Sequence, residues 1–230
     1  MAILDDGTCV KVHENIIKEL NIMRHILSQK KCHPGILKVY KFINDGKNYF
    51  TIIENGGISM FNHVKYIHGL VGQKKLTLKG FKEHVKIIFK QICDIVLFIH
   101  NSCNVCHMDI SLENILIKNF DININGKITN HGVVHLCDFG LSEYFGESKQ
   151  HYCKKFVGKM QYQSPELFSN KIFNAKLNDC WSLGVCLFMI QLGVQPLTKP
   201  SNDDPYCVNI LNGYLHKMCL LNGKKDYISN

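Results

Sequence analysis

Val85, Ile88, Phe89, Ile92, Ile95, Val96 and Ile99 follow one another at steps of three and one, which together keep a period of about 3.6 residues. Apolar residues spaced in this way lie on one face of an α-helix, and that face has to be buried against a core. The helix leads into the octapeptide His107-Met108-Asp109-Ile110-Ser111-Leu112-Glu113-Asn114, after which Ile115 to Ile117 reads as a short buried strand. Helix, loop and strand thus place one carboxylate, Asp109, and one amide, Asn114, on a loop framed by core elements. A carboxylate there can accept a proton, and an asparagine can hold a metal whose charge a phosphate shares.

The 230 residues suffice for one large domain or two small lobes. The apolar fraction of 46% and charged fraction of 20% are those of an ordinary globular protein. The net charge is +8, but the lysines are scattered, which describes a solvated basic surface or a cleft for an anionic ligand better than a nucleic-acid patch. The eleven cysteines are odd in number and irregular in spacing, and Cys93, Cys137 and Cys186 sit in apolar runs. That pattern predicts free thiols in a reducing compartment. No basic region followed by an apolar core opens the chain, and the run from Trp181 to Ile190 is too short for a bilayer, which needs about 20 residues. The expectation is a soluble intracellular protein with neither membrane nor nucleic acid as a partner.

Along the chain, residues 2 to 12 predict a hairpin turning at Asp5-Asp6-Gly7. Ile16, Leu20, Met23 and Leu27 predict an amphipathic helix over 14–27, flanked by Glu19. Strands follow at 36–42 and 48–54 around Asn44-Asp45-Gly46-Lys47, and Gly56-Gly57 marks a hinge or linker. Residues 118–132, rich in Asn and Gly, predict an extended hairpin or insertion, and Val133 to Cys137 a strand ended by Asp138-Phe139-Gly140. Residues 141–163 show no periodicity and are expected as a long loop. Ser164-Pro165-Glu166 opens a helix, and Asp179 to Leu192 predicts a buried one.

Taken in order, Lys11, Glu19, the loop 107–114, Asp138-Phe139-Gly140, Ser164-Pro165-Glu166 and Asp179-Cys180-Trp181-Ser182-Leu183-Gly184 resemble the motifs of the eukaryotic protein kinases. The resemblance implies an α+β, bilobal fold, with a small β-rich N-lobe over 1–55, a larger and mainly helical C-lobe over 56–230, and a hinge near 54–57. It implies ATP and Mg²⁺ as cofactors and a protein substrate as partner. Asp109 would be the base, and Asn114 and Asp138 the metal ligands. Lys11, held by Glu19, would meet the α- and β-phosphates. Glu54 and Asn55 match the adenine-binding hinge, Ile53 the residue guarding the back of the pocket, and Cys9 and Leu116 the positions that sandwich adenine. Met23, Val39, His107 and Phe139 match the apolar stack between the lobes, anchored by Asp179. Glu113, Tyr162 and Ser182-Leu183-Gly184 resemble the Ser/Thr branch.

The chain also departs from that pattern. No Gly-x-Gly-x-x-Gly occurs, and both ends are expected to be short, without the glycine-rich loop and without the last helices. Lys11 and Glu19 stand only eight residues apart. Met108 replaces the arginine that meets a phosphorylated activation loop, so activity is expected not to depend on phosphates at Ser142, Tyr144, Ser148 or Tyr152. Ser111 and Lys159 replace a lysine and a threonine that contact substrate and γ-phosphate. Either both contacts are lost, or Lys159 reaches across to restore the charge. The alternative reading is a pseudokinase or scaffold that binds nucleotide weakly. Cys103-Asn104-Val105-Cys106-His107 also matches a haem-attachment pattern. The kinase reading already accounts for His107, and no further ligands suit a zinc site at Cys103 and Cys106.

Overall fold

The computed structural model describes residues 2–3, 9–10, 16–46, 49–123, 126–148, 150–155 and 157–214. β1 (Ala2–Ile3) pairs antiparallel with β2 (Cys9–Val10), Ala2 opposite Val10. The turn expected at Asp5-Asp6-Gly7 lies outside the described residues. α1 (Ile16–Leu27) buries Ile22, Met23 and Ile26. Ile16, expected on the apolar face, is 37% exposed, because the core meets the C-terminal half of the helix. β3 (Val39–Asn44) and β4 (Tyr49–Ile53) form an antiparallel hairpin, Val39 opposite Ile53, with a bulge at Val39/Lys41.

The remaining elements build the helical part. β5 (Ile58–Ser59) leads into α2 (Met60–Gly72), where Ser59 Oγ accepts the Asn62 N–H as N-cap. α3 (Leu78–Asn101), capped by Thr77, contains the whole predicted stripe, and Ile88, Ile92, Ile95 and Ile99 are at most 1% exposed. β6 (Val105–Cys106) precedes the loop 107–114. β7 (Ile115–Ile122) and β8 (Ile128–Leu136) form the expected hairpin, longer than the strands read from sequence, and β5 adds to β7 to give a three-stranded sheet. The hairpin packs on α3, which also meets α5.

The stretch expected as a plain loop contains short pieces. β9 (Glu143–Tyr144) pairs with β6, and β10 (Tyr152–Cys153) pairs with β11 (Phe173–Asn174). A 3₁₀ turn covers Met160–Tyr162. α4 (Pro165–Phe168) starts at the Ser164 cap, α5 (Ala175–Leu192) at the Asn174 cap, and α6 (Pro205–Leu211) at Asp204. A strand-rich N-terminal part and a helical C-terminal part thus meet where α1, the β3–β4 hairpin and the end of β8 converge.

Three histidines cross-link the helical part. His63 Nε2 on α2 lies 2.7 Å from His84 Nε2 on α3, and His84 Nδ1 lies 3.0 Å from His131 Nδ1 on β8. Phe120 packs on the rings of His63 and His84, with centroids 4.8 Å away in both cases. Burial pushes His63 down to about 4, and burial with its two histidine neighbours pushes His84 to about 3.

Candidate active site

Asp179, fully buried on α5, fixes the start of the loop. It accepts the backbone N–H of His107 at 2.8 Å and of Met108 at 2.9 Å, while His100 Nε2 lies 2.8 Å from it. Ile110 and Leu112, buried at 0% and 1% exposure, pin the middle of the loop into the core. Asn114 closes it, its Nδ2 donating to the backbone oxygen of Asp109 at 2.9 Å and to Asp109 Oδ2 at 2.8 Å. Asp109 is therefore held from both ends and is 8% exposed.

The end of β8 is stitched to the same loop, since Cys137 N–H donates to the Asn114 carbonyl at 3.0 Å. That bond brings Asp138 beside Asn114. Asp138 has φ 66° and accepts the Gly140 N–H at 3.3 Å on Oδ1. Among the described residues no hydrogen bond engages Asp138 Oδ2 or Asn114 Oδ1. These are hard oxygen donors, the type that suits Mg²⁺, and the pair fits such an ion.

His107 spends both ring nitrogens on structure. Nδ1 accepts the Asp109 N–H at 3.3 Å, Nε2 lies 3.0 Å from the Cys137 carbonyl, and the ring packs on Phe139 with centroids 4.9 Å apart. Phe139 in turn lines a cavity of about 280 Å³ with Glu19, Met23, Val39, Ile53 and Asp138. The residues expected to stack between the lobes are thereby in one place, and Glu19 and Asp138 line the same cavity. The thiol of Cys137 in this wall is pushed up by burial to about 11.

At the expected hinge, Glu54 N–H donates to the Lys38 carbonyl at 2.8 Å and its carboxylate pairs with Lys118 Nζ at 2.7 Å. The Lys118 ammonium holds that carboxyl below the usual range. Asn55 Oδ1 accepts the Gly57 N–H at 2.9 Å, and Gly57 has φ 91°. A Cβ on Gly56 would lie 2.6 Å from Leu116 Cδ1, so the glycine lets the chain press against β7. Leu116 is half-buried facing this turn, and Ile53 is 46% exposed at the cavity mouth. Lys11 lies outside the described residues, and so does the Cys9 side chain, although its strand is described.

Two contacts made by residues 141–163, the activation segment, carried no sequence signal. Met108 sits in an apolar cluster with Cys106, Val157, Leu167, Phe173 and Ala175. Glu143 pairs with Lys18 of α1 at 2.8 Å and with Lys155, joining residues more than a hundred positions apart. Lys159 does reach the loop: its Nζ lies 2.8 Å from Asp109 Oδ2 and 3.0 Å from Ser111 Oγ. Ser142, expected as a phosphate acceptor, is fully buried with its hydroxyl donated to the His107 carbonyl at 3.1 Å, so it is not available as one. Tyr144 and Tyr152 are 49% and 61% exposed. The residues read as Ser/Thr-type markers come together, Ser182 Oγ donating to the Tyr162 carbonyl at 2.7 Å and Tyr162 OH to Glu113 Oε2 at 3.4 Å.

Cys103 and Cys106 are 1% and 0% exposed, which leaves no face for haem attachment. Donor atoms of His100, Cys106 and Asp179 lie within 4.8 Å of one another. Both Asp179 oxygens are already engaged by His100 and the two N–H groups, and burial pushes the Cys106 thiol far up. The trio is a structural network. Among the described residues no helix is long and apolar enough to cross a membrane.

A buried carboxylate anchoring a loop that bears Asp109 and Asn114, set against Asp138 under a strand-rich lobe, defines a bilobal kinase architecture. The chain belongs to the protein kinase family, whose protein kinase domain matches residues 4–228. It is 31% identical over 195 residues to a serine/threonine-protein kinase SIK3 homolog of Danio rerio, covering 84% of this chain and 14% of that protein. It is 28% identical over 215 residues to a probable cell cycle serine/threonine-protein kinase CDC5 homolog of Encephalitozoon cuniculi, covering 92% and 39%. A SNF-related serine/threonine-protein kinase of Rattus norvegicus is 28% identical over 214 residues, covering 90% and 26%. The chain thus spans well under half the length of these relatives.

Proposed function

We propose that this chain transfers the γ-phosphoryl group of ATP to serine or threonine hydroxyls of protein substrates. The observation that supports the reading is the contact of Asn114 with Asp109 together with the bond from Cys137, next to Asp138, to the Asn114 carbonyl, which leaves Asn114 Oδ1 and Asp138 Oδ2 as candidate metal donors among the described residues. A bound Mg²⁺ would supply neutralisation of phosphate charge, which dominates this chemistry. Asp109 orients the acceptor hydroxyl and takes its proton. Asn114 and Asp138 hold the metal. Lys11 and Glu19 position the α- and β-phosphates, and Cys9, Ile53, Glu54, Asn55 and Leu116 form the adenine site, with residues 1–55 and 56–230 as the two lobes. The named kinase relatives support the Ser/Thr class.

One observation favours the scaffold reading instead: Asp109 is already engaged in an ion pair with Lys159. The experiment that decides is a melting curve with and without ATP and Mg²⁺, together with phosphate transfer to casein by the parent and by Asp109→Asn. Binding at a hundred times Kd stabilises by about 2.7 kcal/mol. The catalytic reading expects that shift in both proteins and transfer in the parent only. No shift at millimolar ATP, or equal transfer by both, sinks it.

A further inference from the structure

Lys159 does not belong to the catalytic loop, yet its side chain is as close to the base as that of Asn114. Its Nζ lies 2.8 Å from Asp109 Oδ2 and its own N–H donates to Asp109 Oδ1 at 3.1 Å. One residue therefore grips both carboxylate oxygens. Its position is built. Gly158 has φ 84°, and a Cβ there would lie 2.7 Å from the Met108 carbonyl, so the activation segment approaches the loop as closely as glycine alone permits. Buried Gln163 holds that approach, its Nε2 donating to the carbonyls of Val157 at 3.0 Å and Gly158 at 3.1 Å.

An ammonium has three N–H donors. On Lys159 one meets Asp109 and one meets Ser111, and the side chain remains 34% exposed. Among the described residues no further side chain takes the third donor, which leaves it for a ligand beside Asp109. Ser111 offers only a hydroxyl at 3.0 Å from this ammonium, so the catalytic loop itself brings no cation to the spot.

We propose that Lys159 is the cation that accompanies the transferred phosphoryl group, delivered to the base by the activation segment and steadied from the loop by Ser111. The proposal rests on the kinase reading above. In the step it serves, the acceptor oxygen bonds to the γ-phosphorus as its proton passes to Asp109. The bond from phosphorus to the bridging oxygen breaks, its electron pair leaving with ADP. Lys159 keeps its proton throughout and donates to a non-bridging oxygen. Placing such a donor where charge grows, in a site screened from water, lowers the barrier directly.

The test uses the full chain with Mg²⁺ and compares Lys159→Met, Lys159→Arg, Lys159→Thr, and the exchange Ser111→Lys with Lys159→Thr. Removing a donor of this kind costs about a hundredfold in kcat, so Lys159→Met should lose that much in casein phosphorylation, with the KM for ATP rising only severalfold. Equilibrium binding gives a readout free of turnover. Lys159→Met should weaken ATP binding severalfold and leave ADP binding unchanged, because only ATP has the third phosphate. Lys159→Arg should keep part of both effects, and the exchange variant should recover activity that Lys159→Thr alone lacks. An unchanged ratio of ATP to ADP affinity overturns the proposal, as does a Lys159→Met protein as active as the parent or more so. If the parent transfers phosphate and Asp109→Asn does not while Lys159→Met is unaffected, the proposal fails and the kinase reading stands. If the parent binds no ATP, both fall.

Discussion

Asp179 holds Met108 in the left-handed region of backbone space: its Oδ1 accepts the Met108 N–H at 2.9 Å, and Met108 has φ 69°. A residue with a side chain rarely adopts that conformation without such a partner. The turn it creates is what directs Asp109 toward Asn114 and Lys159.

Replacing Asp179 should therefore do more than remove a contact. Asp179→Ala leaves the N–H groups of His107 and Met108 buried without acceptors and strips His100 of its partner. The expected loss is about 3–5 kcal/mol in urea unfolding. Asp179→Asn keeps one carbonyl acceptor and should lose less. A loss under about 1 kcal/mol for the alanine variant would show that the loop is held by other means.

Met108 is 2% exposed and packed against Cys106, Val157 and Leu167. An arginine there would bury a guanidinium among apolar side chains, with both oxygens of the neighbouring Asp179 already engaged. Met108→Arg should lower the melting temperature sharply, while Met108→Leu, which keeps volume and polarity, should cost less than about 1.5 kcal/mol. Phosphatase treatment of the parent should leave its activity unchanged. A drop after dephosphorylation would mean that a phosphate is read somewhere other than beside residue 108.

The ion pair of Glu143 with Lys18 joins the activation segment to α1, with side chains 18% and 31% exposed. Lys155, the second partner, is 46% exposed. Because solvent screens these groups, Glu143→Gln should change global stability by only about 0.5–1 kcal/mol. The local effect should be larger. Trypsin should cut at Lys154 or Lys155 faster in the variant, and added salt should narrow the gap between variant and parent. Equal cutting rates at low salt would remove Glu143 as a fastener.

Acid should loosen the helical part through His63 and His84. Their folded values, about 4 and about 3, lie below the usual 6.5, so the unfolded chain binds more protons across the interval between. The stability held by their neutral forms is fully present above pH 6.5 and is lost as pH falls toward those folded values. The two together should cost about 2 kcal/mol per pH unit over that range. His84→Gln should flatten the unfolding free energy against pH between 6.5 and 4. An unaltered slope would assign the acid sensitivity elsewhere.

Periodicity made α3 legible because one stripe, from Val85 to Ile99, is buried along its whole length. Its first turns at Lys79, Gly80 and Lys82 were not, since their polarity masks a helix that begins at the Thr77 cap. Asp109 and Asn114 were readable from local pattern and Asp138 through family resemblance, and the structure bonds Asn114 to Asp109 and, through Cys137, ties the residue before Asp138 to Asn114. The stack of Met23, Val39, His107 and Phe139 was readable only through family resemblance. The histidine chain had no such pattern, because His63, His84 and His131 come from three elements and meet only after α2, α3 and β8 pack. The Glu143 clamp escaped for the same reason. At Lys159 the sequence posed two outcomes, loss of charge or replacement by reach, and a hydrogen-bond distance decided that it reaches.

The hairpin of β7 and β8 also bears on the order in which this site can assemble. It closes through short-range pairing, Ile115 against Leu136 and Ile122 against Ile128, and its two ends hold Asn114 and Asp138. The bonds from Asp179 to His107 and Met108 bridge 72 and 71 residues, and the bond from Lys159 to Asp109 bridges 50. Closing a long loop costs more entropy than closing a hairpin. Loop-closure entropy therefore favours bringing Asn114 and Asp138 into register first, with Asp109 and Lys159 set later, when α5 docks and the segment before α4 settles.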